Sequence, residues 1–187
     1  MRVLLHACCG PCLLEPYDAL ALEHDVTVAY ANPNIHPLEE YRRRRDTLFA
    51  YTEGTGVRAI ELAYEPEAWD AAVTPYAGDR ATRCRACFRL RLGMVAERAA
   101  KDGFEAVATT LTVSPYQDQD AVREAGEETC EAAGVAFLAT DFRDRYRAAT
   151  ERSRALGMYR QRYCGCVHSE AEADAERAQR KAERRRA

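Results

Sequence analysis

The stretch VLLHACCGPC, residues 3–12, decides the fold. Its first half is an apolar run that reads as a β-strand, and the run ends in Cys8, Cys9, Gly10, Pro11 and Cys12. Three thiols at the end of a strand are core filler, a disulfide or ligands held there for chemistry. The choice among these depends on where the other five cysteines fall.

Working outward, β-rich runs recur between helical stretches. RVLLHA (2–7), VTVAYAN (26–32), VRAIELA (57–63), EAVATTLTV (105–113) and VAFLATDF (135–142) read as five strands. Between them, LLEPYDALALEH reads as a helix, with Pro16 tolerable if it lies in the first turn. LEEYRRRRDTLFAYTEGTG reads as an amphipathic helix through Leu38, Tyr41, Leu48 and Phe49, stopped by Gly54 and Gly56. QDQDAVREAGEETCEAAG reads as a helix ending at Gly134. Strands alternating with helices mean right-handed crossovers, so the fold class is α/β, with a parallel five-stranded sheet and helices on both faces. Residues 64–101 form a longer helical insertion, and a helical C-terminal region begins near 143. A chain of 187 residues makes one domain, assigned here to residues 1–169. Residues 170–187 are a charged tail, polar all round, expected as an exposed or frayed helix with a basic end.

In an open sheet of this kind, ligands bind beyond the carboxyl ends of the strands. Cys8, Cys9 and Cys12 follow the first strand, Asn32 to His36 the second, and Ser114 to Gln117 the fourth. One sheet edge therefore gathers thiols, an NPNIHP turn and an SPYQ turn.

Composition narrows the class. Hydrophobic residues at 47% and charged residues at 30% suit a globular domain. No apolar stretch approaches the ~20 residues needed to span a bilayer, and the start does not read as a secretory signal. The expected compartment is the cytoplasm, with no membrane partner. Stable disulfides are rare there, so eight cysteines point to metal binding or redox work. A net charge of -3 gives no global pull on nucleic acid, but arginines bunch in YRRRRD (41–46), DRATRCRACFRLRL (79–92), FRDRYRAATERSRALGMYRQR (142–162) and the tail. Clusters beside the cysteine motifs suit phosphate contact; solvated helix faces are the plainer alternative.

Seven cysteines fall in three motifs: CCGPC (8–12), CRAC (84–87) and CGC (164–166). Cys130 stands alone in a helix, as a small buried hydrophobe does. Cys84 and Cys87 share one helix face, continued by Phe88, Leu92, Val95 and Ala99. Four thiolates satisfy a structural zinc, and seven exceed that need. Iron–sulfur clusters also take thiolates and carry electrons. Cys164 and Cys166, one residue apart, are either a redox-active pair closing a small strained ring or half of a second metal site. His6 is expected as a hydrogen-bonded core histidine. Asp118 and Asp120 are acid/base candidates or helix-start residues, and Tyr116 and Tyr159 stack a base or simply pack.

Taken in order, LLHACCGPC, YANPNIHPLEEYRRR, RCRACFRLRL, TTLTVSPYQD and DFRDRYRAATERSRALGMYRQRYCGCVHS resemble the QueH-type epoxyqueuosine reductases. The likeness runs through nearly the whole chain, leaving only residues 170–187 outside. It implies a fold related to the adenine-nucleotide α-hydrolases (the HUP type). The activity it implies is the last step of queuosine biosynthesis: reduction of the epoxide of epoxyqueuosine in tRNA to the alkene. It implies a [4Fe–4S] cluster, an additional iron in some members, and neither cobalamin nor ATP. The corresponding cluster ligands are Cys8, Cys9, Cys84 and Cys87, with Cys12 beside them as a ligand to extra iron and Cys164 and Cys166 as the redox pair. Asp118, Tyr116 and His36 are proton-donor candidates. Arg42, Arg43, Arg83, Arg85, Arg160 and Tyr159 are expected to hold the anticodon loop, and an electron donor must exist. Two rivals remain. A tRNA-thiolating ATPase shares the fold, but its phosphate loop is poorly served by CCGPCL. A zinc-stabilised RNA-binding module needs fewer thiols.

Overall fold

The computed structural model describes residues 1–184. Five strands form one parallel sheet: β1 (Arg2–Ala7), β2 (Asp25–Tyr30), β3 (Ala59–Glu61), β4 (Ala106–Thr109) and β5 (Ala136–Phe137). Their order is β3-β2-β1-β4-β5, so the chain winds to one side of β1 and then returns to the other. That reversal opens a crevice between the carboxyl ends of β1 and β4.

β1 is central and buried on both faces. Val3, Leu5 and Ala7 pack with Leu13 and Leu20 of α1 (Gly10–Ala21), Tyr41 and Leu48 of α2 (Leu38–Thr55), and Ala149 of α6 (Tyr146–Ala155). Leu4 faces the other way, against Val95, Ala96 and Ala99 of α4 (Arg80–Asp102) and Cys130 of α5 (Gln119–Ala133). Each such leucine contributes roughly 1.5–3 kcal/mol by leaving water. His6 is fully buried among them, with Nδ1 2.9 Å from Thr109 Oγ1 and Nε2 3.2 Å from the Ala31 carbonyl. It is the core histidine expected.

Several elements differ from their sequence reading. α1 begins at Gly10, not after Cys12, with Pro11 in its opening turn. Cys12 is thereby drawn onto the helix, and Pro16 lies in its interior, where it leaves the Cys12 carbonyl without the usual i+4 donor. The fourth strand stops at Thr109, and residues 110–113 coil into a 3₁₀ turn because Thr109 Oγ1 accepts the Leu111 amide. The fifth is only two residues long, an edge strand. The helical insertion resolves into α3 (Pro66–Val73) and α4, and α4 is the crossover helix that covers the sheet between β3 and β4. α7 (Val167–Arg184) crosses position 170 without a break, and residues 185–187 lie outside those described. Gly56, Gly103 and Gly134 end α2, α4 and α5 in left-handed backbone, as the sequence stops at Gly56 and Gly134 require, whereas Gly54, also read as a stop, lies within the last turn of α2. Among the described residues no helix is long and apolar enough to cross a membrane.

Candidate metal and redox centre

Only Cys8 and Cys9 separate β1 from α1, so the thiols stand directly at the crevice. The Cys8 amide donates to Thr110 Oγ1 at 3.3 Å, tying the ends of β1 and β4. The Sγ atoms of Cys8, Cys9 and Cys12 all lie within 4.8 Å of one another, close enough to hold one metal ion. Gln161 Nε2 lies 2.9 Å from Cys9 Sγ and 3.8 Å from Cys12 Sγ. The donors are all sulfur, and donors around them are what thiolate ligands of zinc or iron–sulfur centres take up. The residues fit such a group.

A cavity of about 1000 Å³ opens over these thiols. Cys8 and Cys12 line it from below, Cys84 of α4 from one side, and Cys164 and Cys166 from the loop before α7. Cys8 and Cys84 pack on the same apolar cluster, around Phe88 and Leu111. Cys9 and Cys87 lie behind the wall, 1% and 8% exposed, Cys87 beside Cys166 and Trp69. Three distant segments thus bring seven thiols to one place. All eight cysteines are free thiols in this structure.

The CGC loop is held from below. The Gly165 carbonyl accepts the His36 amide at 2.8 Å, and Arg44 donates to the carbonyls of Cys164 and Tyr163 at 2.8 and 3.2 Å. Gly165 has φ +131°, and a Cβ there would sit 2.9 Å from Ile35 Cγ1 and 3.1 Å from Arg44 Nη1. The glycine of CGC is therefore a docking contact on the NPNIHP turn. On one side of it Gln117 Nε2 lies 3.8 Å from Cys164 Sγ. On the other the Ser169 amide donates to Cys166 Sγ at 3.3 Å.

The electrostatics of the three early thiols are shared. Hydrogen bonds from the Cys12 and Cys9 thiols, and then the Arg91 charge, hold Cys8 well below the ordinary thiol range. Burial pushes Cys9 up, and Cys12 rises chiefly because its proton is given to Cys8. Burial raises Cys84 to about 11, and it also raises Cys87.

Other expected residues divide. Tyr116, Asp118, Arg83 and Arg160 line the cavity; Arg42, Arg43, Arg85 and Tyr159 do not. Asp118 caps α5, accepting the Ala121 amide at 3.0 Å, which is the helix-start role. Tyr116 is 71% exposed at the rim, edge-on to Tyr146 at 6.1 Å. Arg83 is 4% exposed, its guanidinium committed to the Ala77 carbonyl and the Glu172 carboxylate, so it braces α4 against α7. Arg85 is exposed beside Glu124 of α5. Arg43 lies over the Tyr159 ring at 4.9 Å, and the Tyr159 hydroxyl donates to Glu40 at 2.7 Å. Cys130 is buried in the core, 1% exposed.

Gln161, Thr110, Ser169 and Arg91 escaped the sequence reading. Arg91 alone carried a usable signal, since it stands one turn beyond Cys87 and so on the same helix face.

Comparison with known proteins points one way. The family model described as epoxyqueuosine reductase QueH matches residues 3–172. Over 174 residues the chain is 37% identical to the epoxyqueuosine reductase QueH of Dehalococcoides mccartyi, covering 91% of this chain and 93% of that one. It is 36% identical over 174 residues to the same-named protein of Thermotoga maritima, covering 89% of each. With that of Streptococcus pyogenes serotype M1 it shares 34% over 180 residues, 89% of this chain and 69% of the relative.

Proposed function

The chain belongs to the QueH family of epoxyqueuosine reductases, and from that premise we propose that its thiol-lined cavity is where the epoxide of epoxyqueuosine in tRNA is reduced. The chain is an oxidoreductase. The observation that carries the assignment of the site is the convergence of Cys8, Cys12, Cys84, Cys164 and Cys166 on one cavity.

The epoxide oxygen leaves as water, taking up two electrons and two protons, and the two ring carbons become an alkene. Cys164 and Cys166 as a dithiol supply two electrons and two protons when they close to a disulfide, and an external donor reopens it. Cys8, Cys9, Cys84 and Cys87 would hold a [4Fe–4S] cluster, with Cys12 placed for a further iron, and such a centre supplies electrons singly at low potential. Tyr116 and Asp118 stand at the same cavity as proton-donor candidates, Asp118 with its second carboxylate oxygen free of the α5 cap.

About 1000 Å³ suits a nucleotide drawn out of a single-stranded loop. Tyr116 and Tyr146 give its rim an aromatic edge for stacking, and Arg160 and Arg162 line the same wall for phosphate. A tRNA substrate places the enzyme in the cytoplasm. A nucleotide-activating reading is not favoured, because two cysteines between β1 and α1 leave no loop to cradle pyrophosphate.

The test is an assay of reduced, anaerobically purified protein on tRNA bearing epoxyqueuosine, reading the nucleoside by mass. Loss of one oxygen atom is expected. Cys166→Ser should abolish turnover while leaving the visible iron–sulfur absorbance, and Cys84→Ala should abolish that absorbance. Colourless parent protein holding one zinc and inert on this tRNA overturns the assignment.

A further inference from the structure

Arg91 is a cation deep in the protein with no carboxylate among the described residues to answer it. It is 1% exposed. Its Nη2 donates to Asn32 Oδ1 at 2.6 Å. The same nitrogen lies 3.4 Å from His6 Nε2, but that ring nitrogen already faces the Ala31 carbonyl and must carry a proton to bond it. Nε of Arg91 has no hydrogen-bond partner among the described residues. The other buried arginines are paired: Arg44 with Glu40 at 2.7 Å and Arg83 with Glu172. Among the described residues Arg91 has no ion pair.

A buried guanidinium without a counter-charge is strongly unfavourable. Asn32 is neutral, and His6 is kept neutral by its burial and by the Arg91 charge. What remains is sulfur. Arg91 sits at i+4 from Cys87 and lines the cavity together with Cys8, Cys84, Cys164 and Cys166. These thiols come from three different segments, and Arg91 is a buried charge on the wall they share.

We propose that Arg91 is the built-in counter-charge of the sulfur centre, a positioning residue whose cation raises the reduction potential of whatever redox group the thiols hold. The inference rests on the reading of the cavity as a redox centre. Each electron added makes that centre more negative, and a fixed cation in a low-dielectric site favours the reduced form.

The experiment is a redox titration of anaerobically loaded protein, followed by visible absorbance and electron paramagnetic resonance. Arg91→Gln should shift the midpoint to more negative potential, and Arg91→Lys should stay near the parent. Asn32→Asp leaves the arginine in place but sets a carboxylate against it, and should shift the midpoint in the same negative direction as Arg91→Gln. It serves as the test if Arg91→Gln does not fold. Unmoved midpoints in the charge-altering variants overturn the inference while leaving the reductase assignment intact. If the parent has no reducible centre, that assignment fails instead. Zinc affinity, measured by chelator competition, then tests Arg91: weaker binding in Arg91→Gln, restored in Arg91→Lys, supports it, and equal binding overturns it.

Discussion

Gly165 carries more structural weight than any other residue of the CGC motif. With φ at +131° and Ile35 and Arg44 standing where a β-carbon would go, it has no room for a side chain. Gly165→Ala is expected to cost about 1–3 kcal/mol, from backbone strain and overpacking together, read by urea unfolding of metal-free protein. Turnover should fall further than stability does, because the substitution lifts both flanking thiols off the Asn34–Ile35 turn. Asp118 separates two roles cleanly. Asparagine caps a helix as well as aspartate, so Asp118→Asn should retain stability, whereas Asp118→Ala should lose about 1 kcal/mol. If Asp118 donates the proton, the asparagine variant is stable and inactive; an active asparagine variant leaves Asp118 as a cap alone. Sequence spacing revealed both residues, but what each touches came only from the fold.

At the scale of elements, α4 does most to build the site, carrying Cys84, Cys87 and Arg91 on one face and the Val95, Ala96, Ala99 stripe against the sheet. Its start is set by Asp79, whose carboxylate accepts the Ala81 and Thr82 amides and the Thr82 hydroxyl. The Thr82 side-chain bond is the largest of the causes that hold the Asp79 carboxyl below its ordinary 3.8. A carboxyl lowered in the folded state stabilises above its unfolded pKa, and that contribution is lost as pH falls through the folded value. Asp79→Ala should therefore unfold at lower temperature than the parent at neutral pH. The gap should close on acidification below about pH 4. A gap that persists at low pH would show that the residue acts by packing and not by charge. α4 was legible as helix, and its thiol face was legible from the spacing of CRAC. That it is a crossover covering the sheet was not, because the covering depends on how far the short third strand runs.

For the whole molecule, a net charge of -3 conceals a local asymmetry. Many arginines are committed to carboxylates, among them Arg80, Arg89, Arg123 and Arg147, whereas Arg160 and Arg162 line the cavity with no ion pair among the described residues. Binding of tRNA should weaken as salt rises, linearly on logarithmic axes, and each of Arg160→Ala and Arg162→Ala should reduce the slope by about 1. A salt slope unchanged by either variant would place the phosphate contacts elsewhere. Arg83 should not behave this way, since its charge is held by Glu172 within the protein.

The order of residues by itself determined the alternation of strands and helices, the parallel sheet, the helix ends at Gly56 and Gly134, and the placing of thiols after β1. These follow from periodicity, turn chemistry and the rule that ligands meet parallel sheets at their carboxyl edge, all local or topological properties. Tertiary structure alone decided that the CGC loop docks on the NPNIHP turn some 130 residues away, that Gln161 reaches Cys9, and that Arg83 faces inward. It also decided that Arg91 is buried with no ion pair among the described residues. Contacts so far apart along the chain leave no periodic trace, and whether an arginine meets water or a thiol is settled only when the helices close over the sheet.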